Sequence, residues 1–206
     1  MRYLKTGWKA LCCGTCLMLS GWAQATIVLS DGAGDFGPDS AVLDTSTGLR
    51  WLRLGFTNGL SFDDVSQRFG AGEQFSGYRY ATRTEIRQFW TDAGIVDLSG
   101  GRSPQNYGPV RALQALLGTN DGRGTLSYGR SADVGGPATH FTPRIQVNAF
   151  GDGIADLTCC AMFDNVRNPT GSWLVTASVP EPGEVAFVLA GMAVLSWKFA
   201  RRPRRS

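Results

Sequence analysis

The sequence predicts an α+β fold: two or three short helices and an antiparallel sheet, followed by a single C-terminal transmembrane helix. Three observations carry that expectation. Ser61 and Thr82 each open a helical pattern with a capping hydroxyl and acids in the first turn. From Thr125 onward, apolar and polar residues alternate in short runs separated by Gly, Asn and Asp, as strands and turns do. Both ends of the 206-residue chain are apolar stretches with basic flanks.

Residues 1–25 read as a signal peptide. Arg2, Lys5 and Lys9 precede an apolar run from Ala10 to Ala23, and Ala23-Gln24-Ala25 has the small-x-small form that signal peptidase cuts, which puts the mature start at Thr26. A lipoprotein signal is excluded, because Cys13 rather than Leu stands at the third position before Cys16. Cys13-x-x-Cys16 is accordingly leader sequence and no redox motif.

Without the two ends the charge changes sign. Residues 26–178 hold twelve basic residues, all Arg, against fifteen acids, a net −3, whereas the whole chain is +3. The basic balance belongs to the ends, so nucleic acid is no expected partner. Only Cys159 and Cys160 remain in this region. Adjacent cysteines cannot staple distant parts of a fold; they are expected as two thiols on a strand, at least one buried, with a strained vicinal disulfide as the alternative. With His140 the sole histidine, a transition-metal site lacks ligands.

In chain order, Ile27-Val28-Leu29 is a strand candidate and Asp31 to Asp35 a turn. Leu43 to Leu52 places a turn between two apolar strands, with Trp51 a core residue. Ser61 caps a helix with Asp63 and Asp64 in its first turn, ended by Gly70 to Gly72. Gly77 to Ala81 is strand-like, and Thr82-Arg83-Thr84-Glu85 is a capping box for a second helix. There Ile86, Phe89, Trp90 and Ala93 follow the i, i+3, i+4, i+7 spacing of a buried face, and Gly94 ends it. Pro109 to Gly118 is a third helix, and Asn120 to Gly124 a turn. Strands are expected over Thr125 to Arg130, Phe141 to Ala149, Leu157 to Phe163 and Ser172 to Thr176, with a hairpin turn at Gly151-Asp152-Gly153.

The tail, residues 179–206, has three parts. Val179-Pro180-Glu181-Pro182 is stiff and extended, Val185 to Ala200 is apolar apart from Ser196 and Lys198, and Arg201, Arg202, Arg204 and Arg205 follow. A helix over residues 185–200 would be roughly 24 Å long, short of a roughly 30 Å hydrocarbon core, so Trp197 and Lys198 belong at the interface. The arginines resist crossing and form a basic stop on the cytoplasmic side, leaving the preceding domain outside. These residues resemble a PEP-CTERM sorting signal. That resemblance implies recognition and processing by an exosortase in a Gram-negative bacterium that makes exopolysaccharide. It also implies an inner-membrane-anchored intermediate on the way to the cell surface or matrix.

A second resemblance rests on Thr47-Gly48-Leu49-Arg50-Trp51, the helix after it, and Gly77-Tyr78-Arg79-Tyr80-Ala81-Thr82 running into Glu85. It is similar to the C-type-lectin-like C-terminal domain of a bacterial collagen-like adhesin, over residues 42–94 and the closing strand. Tyr78 stands where that family has Trp, Arg79 and Thr82 match, and Tyr80-Ala81 departs from its Leu-Pro; its paired cysteines are missing. The likeness implies a C-type-lectin-like fold in which Gly171 to Val175 pairs with the strand near the N-terminus. The calcium-sugar motif of lectins is absent.

Catalysis has little to stand on. His140 lies in a Gly-Pro-rich approach to a strand, read as structural or surface, and no enzyme is expected. The pairs Asp63/Asp64, Asp152/Asp156 and Asp31/Asp35 are explained by a helix N-terminus and by turns. No cofactor is expected; calcium at Asp31–Asp35 or at Asp152–Asp156 with Asn148 is the alternative. Tyr78, Tyr80, Tyr107 and Tyr128 form the candidate ligand surface, because rings with polar tips suit sugar faces, although core burial explains half of them equally well. The expected partners are signal peptidase, an exosortase, exopolysaccharide or surface proteins, and the inner membrane. A structural envelope protein without a specific ligand, and a glycan-active hydrolase, stand as alternatives.

Overall fold

The computed structural model describes residues 26–34 and 36–177; the signal-peptide site at Ala23 and Ala25, Asp35, and the tail with its sorting motif, apolar helix and arginines lie outside the described residues. The described chain is an α+β domain of three α-helices and three small, mostly antiparallel sheets.

Strand β1 (Ile27–Ser30) pairs antiparallel with β2 (Ala41–Asp44), which turns into β3 (Leu49–Leu52). The turn is made by Asp44, a fully buried carboxylate that accepts from Ser46 N (2.9 Å), Ser46 Oγ (2.8 Å) and Thr47 Oγ1 (2.7 Å). Gly48 closes it at φ 69°, a left-handed conformation that a side chain would strain. A short 3-10 turn over Leu54–Thr57 leads to α1 (Phe62–Ser66), where Ser61 and Asp64 form a capping box. The sequence places the end of this helix at Gly70–Gly72, but it stops at Ser66, and the chain after it folds back so that the Phe75 N–H donates to the Arg68 carbonyl (2.9 Å).

Strand β4 (Arg79–Tyr80) precedes α2 (Arg83–Asp92), whose Thr82–Glu85 box is present as predicted. Ile86, Phe89 and Trp90 are fully buried, and the Trp51 ring stacks on Phe89 at 4.2 Å. Helix α3 (Tyr107–Leu117) starts before Pro109, after a 3-10 turn over Pro104–Asn106. A proline lacks only an N–H that the first helical turn leaves unpaired anyway, so it need not mark the first position.

The second half is β-rich: β5 (Leu126–Arg130), β6 (Val134–Gly136), β7 (Thr139–Phe141), β8 (Arg144–Val147), β9 (Gly153–Asp156), β10 (Ala161–Phe163), β11 (Gly171–Ser172) and β12 (Leu174–Ala177). Two expectations are corrected here. The run Leu157 to Phe163 is no continuous strand, because the Asp156 carboxylate captures the N–H of Thr158 (2.9 Å) and bends the chain. Cys159 and Cys160 consequently sit in that bend and not on a strand; both are free, Cys159 half-buried and Cys160 exposed.

The sheets have the orders β1-β2-β3-β12-β4, β11-β5-β8-β9 and β6-β7-β10, with β11-β5 the parallel pair. The closing strand joins the sheet that holds β1, but it pairs with β3 and β4, in the interior of the sheet. In the other two sheets β5 runs into β6, β7 into β8, and β9 into β10, and the strand order is the same on either side. They form one three-stranded ribbon with a waist at Ser131–Asp133, Thr142–Pro143 and Leu157–Cys160.

Two apolar cores result. The larger lies under α2 and α3 against the first two sheets, around Trp51, Trp90 and Trp173; the smaller lies around Leu52, Val65, Phe75, Tyr78, Tyr80 and Leu174.

Candidate functional site

The four predicted tyrosines do not come together. Tyr78 is 4 % exposed and Tyr80 7 %, so neither presents its ring to a ligand, which corrects the expected surface. Tyr80 stacks on Phe62 (4.2 Å) and its hydroxyl donates to the Phe62 carbonyl (3.2 Å); burial pushes that phenol well above its ordinary range. Tyr107 is 38 % exposed at the start of α3. Tyr128 lies in β5, its main chain held by Asn120 through bonds of 2.9 and 2.8 Å. A phenol fits a core wherever its hydroxyl finds a partner, so ring type alone cannot separate core from surface.

Tyr78 nevertheless supports an open cleft. Its hydroxyl accepts from the Ala33 N–H (2.9 Å), and its ring meets Phe36 edge-on at 5.9 Å. Phe36 in turn stacks on Phe75 (5.8 Å) and meets Phe56 at 5.1 Å. Phe36 and Phe56 form the apolar side of a cleft of about 580 Å³, and Glu73, Gln74 and Ser76 supply its polar side, with Gly34 and Gly72 at the margins. Arg68 donates to Gln74 Oε1 (2.8 Å) and so orients the amide. Apolar ring faces beside a few acids, amides and hydroxyls are the chemistry that receives a sugar ring. The sequence pattern does not reveal this cleft, because Phe36 lies between β1 and β2 and Phe56 in the 3-10 turn after β3; their flanking glycines are the only local signal.

A smaller cavity of about 160 Å³ lies between Arg83, Thr84, Arg87, Asp133, Leu157 and Thr158. Asp133 already takes the anion position there, accepting from the Arg83 N–H at 2.6 Å beside the first turn of α2.

Asp64, Asp152 and Asp156 are each engaged by neighbouring groups, while Asp35 of the Asp31/Asp35 pair lies outside the described residues. Asp64 caps α1 and receives two bonds from Arg167 (2.7 and 2.6 Å), which hold its carboxyl far below the ordinary range, with the Ser61 N–H adding to the effect. Asp152 accepts from Asn148 Nδ2 (2.9 Å) within the β8–β9 turn, and Asp156 accepts from Thr158. Among the described residues, no three His, Cys, Asp or Glu side chains gather as a metal-ligand group. His140 is held in place: its Nδ1 lies 2.7 Å from Asp164 Oδ1, and its ring stacks on Phe62 at 3.6 Å. Behind that pair lies Arg130, fully buried, donating to the Leu60 (3.0 Å) and Val166 (2.6 Å) carbonyls; burial lowers its pKa.

No protein-family model, curated protein or solved structure matches this chain.

Proposed function

We propose that this chain is an exported surface or extracellular-matrix protein, sorted by an exosortase through its tail, whose domain is a non-enzymatic module for glycans or neighbouring surface proteins. The observation that carries this reading is the order of features in the tail. A proline-flanked acidic motif, Val179 to Pro182, is followed by an apolar stretch the length of a short membrane helix and then by four arginines. Signal peptidase would release Thr26, the inner membrane would hold residues 185–200 for a time, and processing would free the domain into the exopolysaccharide. A C-type-lectin-like fold is the finer architecture that goes with this reading. It is supported by the helix that follows Thr47–Trp51, by the capped helix after Thr82, and by the closing strand in the same sheet as the opening one. The Phe36–Phe56 cleft, with Glu73, Gln74 and Ser76, is where a glycan would lie.

Intact mass and cell fractionation in the native host, with and without its exosortase, test the sorting. The expected mature chain begins at Thr26, ends near Pro182, and leaves the cell only when the exosortase is present. A full tail kept in the inner membrane of both strains would overturn the reading. For the domain, binding to the host's own exopolysaccharide should fall at least about tenfold in Phe56→Ala, roughly the 1.4 kcal/mol that a stacked ring supplies. Equal binding by the variant would remove the cleft from the proposal.

A further inference from the structure

The ribbon crosses its waist at three connections, and the two cysteines lie in the outer one, between β9 and β10. In an extended strand neighbouring side chains point to opposite faces, which keeps adjacent thiols apart. Here the chain is bent: Cys160 has φ 42°, a left-handed value rare for any residue but glycine. The carbonyls of Cys159 and Cys160 both turn toward one donor, the N–H of Thr142, at 3.2 and 3.1 Å. The backbone has thus lost strand alternation where Cys159 and Cys160 adjoin. Cα atoms joined by a trans peptide are ~3.8 Å apart, closer than the roughly 4.4–6.8 Å of ordinary disulfides, so such a pair closes only from a bent main chain.

We propose that Cys159 and Cys160 are an oxidation site that closes to a vicinal disulfide and thereby shifts the waist of the ribbon. Its oxidant is a small disulfide of the glutathione class or a protein disulfide donor. The Cys160 thiolate, on the exposed residue, attacks one sulfur of that disulfide and expels one thiol. Cys159 then gives its proton to solvent, and its sulfur displaces the second thiol from Cys160. One S–S bond is broken and one is made; the two cysteines lose two protons and two electrons, and the oxidant's two sulfurs end as two thiols. Burial pushes the Cys159 thiol up, which slows the second step at neutral pH and lets it quicken as the pH rises.

The consequence follows from the peptide caught in the ring. Closing it re-aims the Cys159 carbonyl, which lies inside the ring, and leaves the Thr142 N–H to Cys160 alone. Thr142 is 1 % exposed, and the next residue, Pro143, accepts the indole N–H of the core residue Trp173 at 3.0 Å. Trp173 therefore reports on the waist. The inference does not depend on glycan binding or on sorting, and its test is blind to both.

The full-length chain is equilibrated in glutathione buffers from reducing to oxidising, trapped with N-ethylmaleimide and digested with trypsin. The peptide from Ile145 to Arg167 carries both cysteines and none of the leader's. In oxidising buffer its main form should be two hydrogens lighter and unalkylated, and tryptophan emission should shift with the same midpoint. Cys159→Ser should give only the glutathione adduct at Cys160, with no emission shift and an unchanged far-ultraviolet spectrum. Full alkylation of both cysteines in the most oxidising buffer, or cross-linked dimers in place of the lighter peptide, overturns the site. A lighter peptide with unshifted emission overturns the coupling to the waist.

Discussion

Trp173 is bonded at every polar atom it has. Its N–H donates to the Arg130 carbonyl (2.9 Å), its own carbonyl accepts from Ala81 (2.8 Å), and its indole reaches Pro143, while its ring meets Trp51 and Trp90 edge-on at 6.4 and 5.8 Å. Trp173→Ala should cost about 3–5 kcal/mol, the usual range for emptying an aromatic core position. Trp173→Phe keeps much of the volume and loses the indole bond, so it should cost less; urea denaturation of both variants checks the order. At this scale the sequence was legible where a residue had one use. Trp51 was predicted as core and is 1 % exposed. The tyrosines were not legible, because the same phenol serves Tyr78 in a core and Tyr107 at a surface. The cleft phenylalanines were invisible for the converse reason: only the folded loops make neighbours of Phe36 and Phe56.

Helices were the most readable elements, since caps and spacing are local. Thr82 accepts from the Glu85 N–H and Glu85 receives the Thr82 N–H, while Arg79 adds bonds of 3.0 and 2.5 Å to the same carboxylate. Removing the cap with Thr82→Ala should cost about 1 kcal/mol, measured by the same denaturation. The Arg79 bonds hold the Glu85 carboxyl at about 2, below its ordinary 4.5. A carboxylate whose pKa is lowered by folding stabilises fully above its unfolded value and loses that contribution as it protonates. Acid should therefore weaken α2's anchorage as the pH falls from about 4.5 toward about 2. In Glu85→Gln the stability lost over that interval should be smaller; thermal melts across the range decide it. Strand boundaries were less readable. Leu157 to Phe163 has strand composition, but one side-chain bond, Asp156 to Thr158, breaks it, and no periodicity records such a bond.

For the whole molecule, the readable part was the class: opening strands, then capped helices, then a run of alternating strands. The path of the last strand was not readable, because pairing joins residues far apart in the chain. β12 sits between β3 and β4, with Val175 opposite both Trp51 and Arg79. A chain truncated after Thr170 should lack a cooperative thermal transition, since its first sheet would be split in two; calorimetry beside the full chain is the check. Non-local pairing of this kind also makes for slow folding, because loop closure precedes any reward.

The same placement decides how the domain bears force. Only Ser178 separates Ala177, the last residue of β12, from Val179. A pull on the chain after Ala177 therefore loads Ala177 and Thr176, paired with β3 alone, before it reaches Val175, which is paired on both sides.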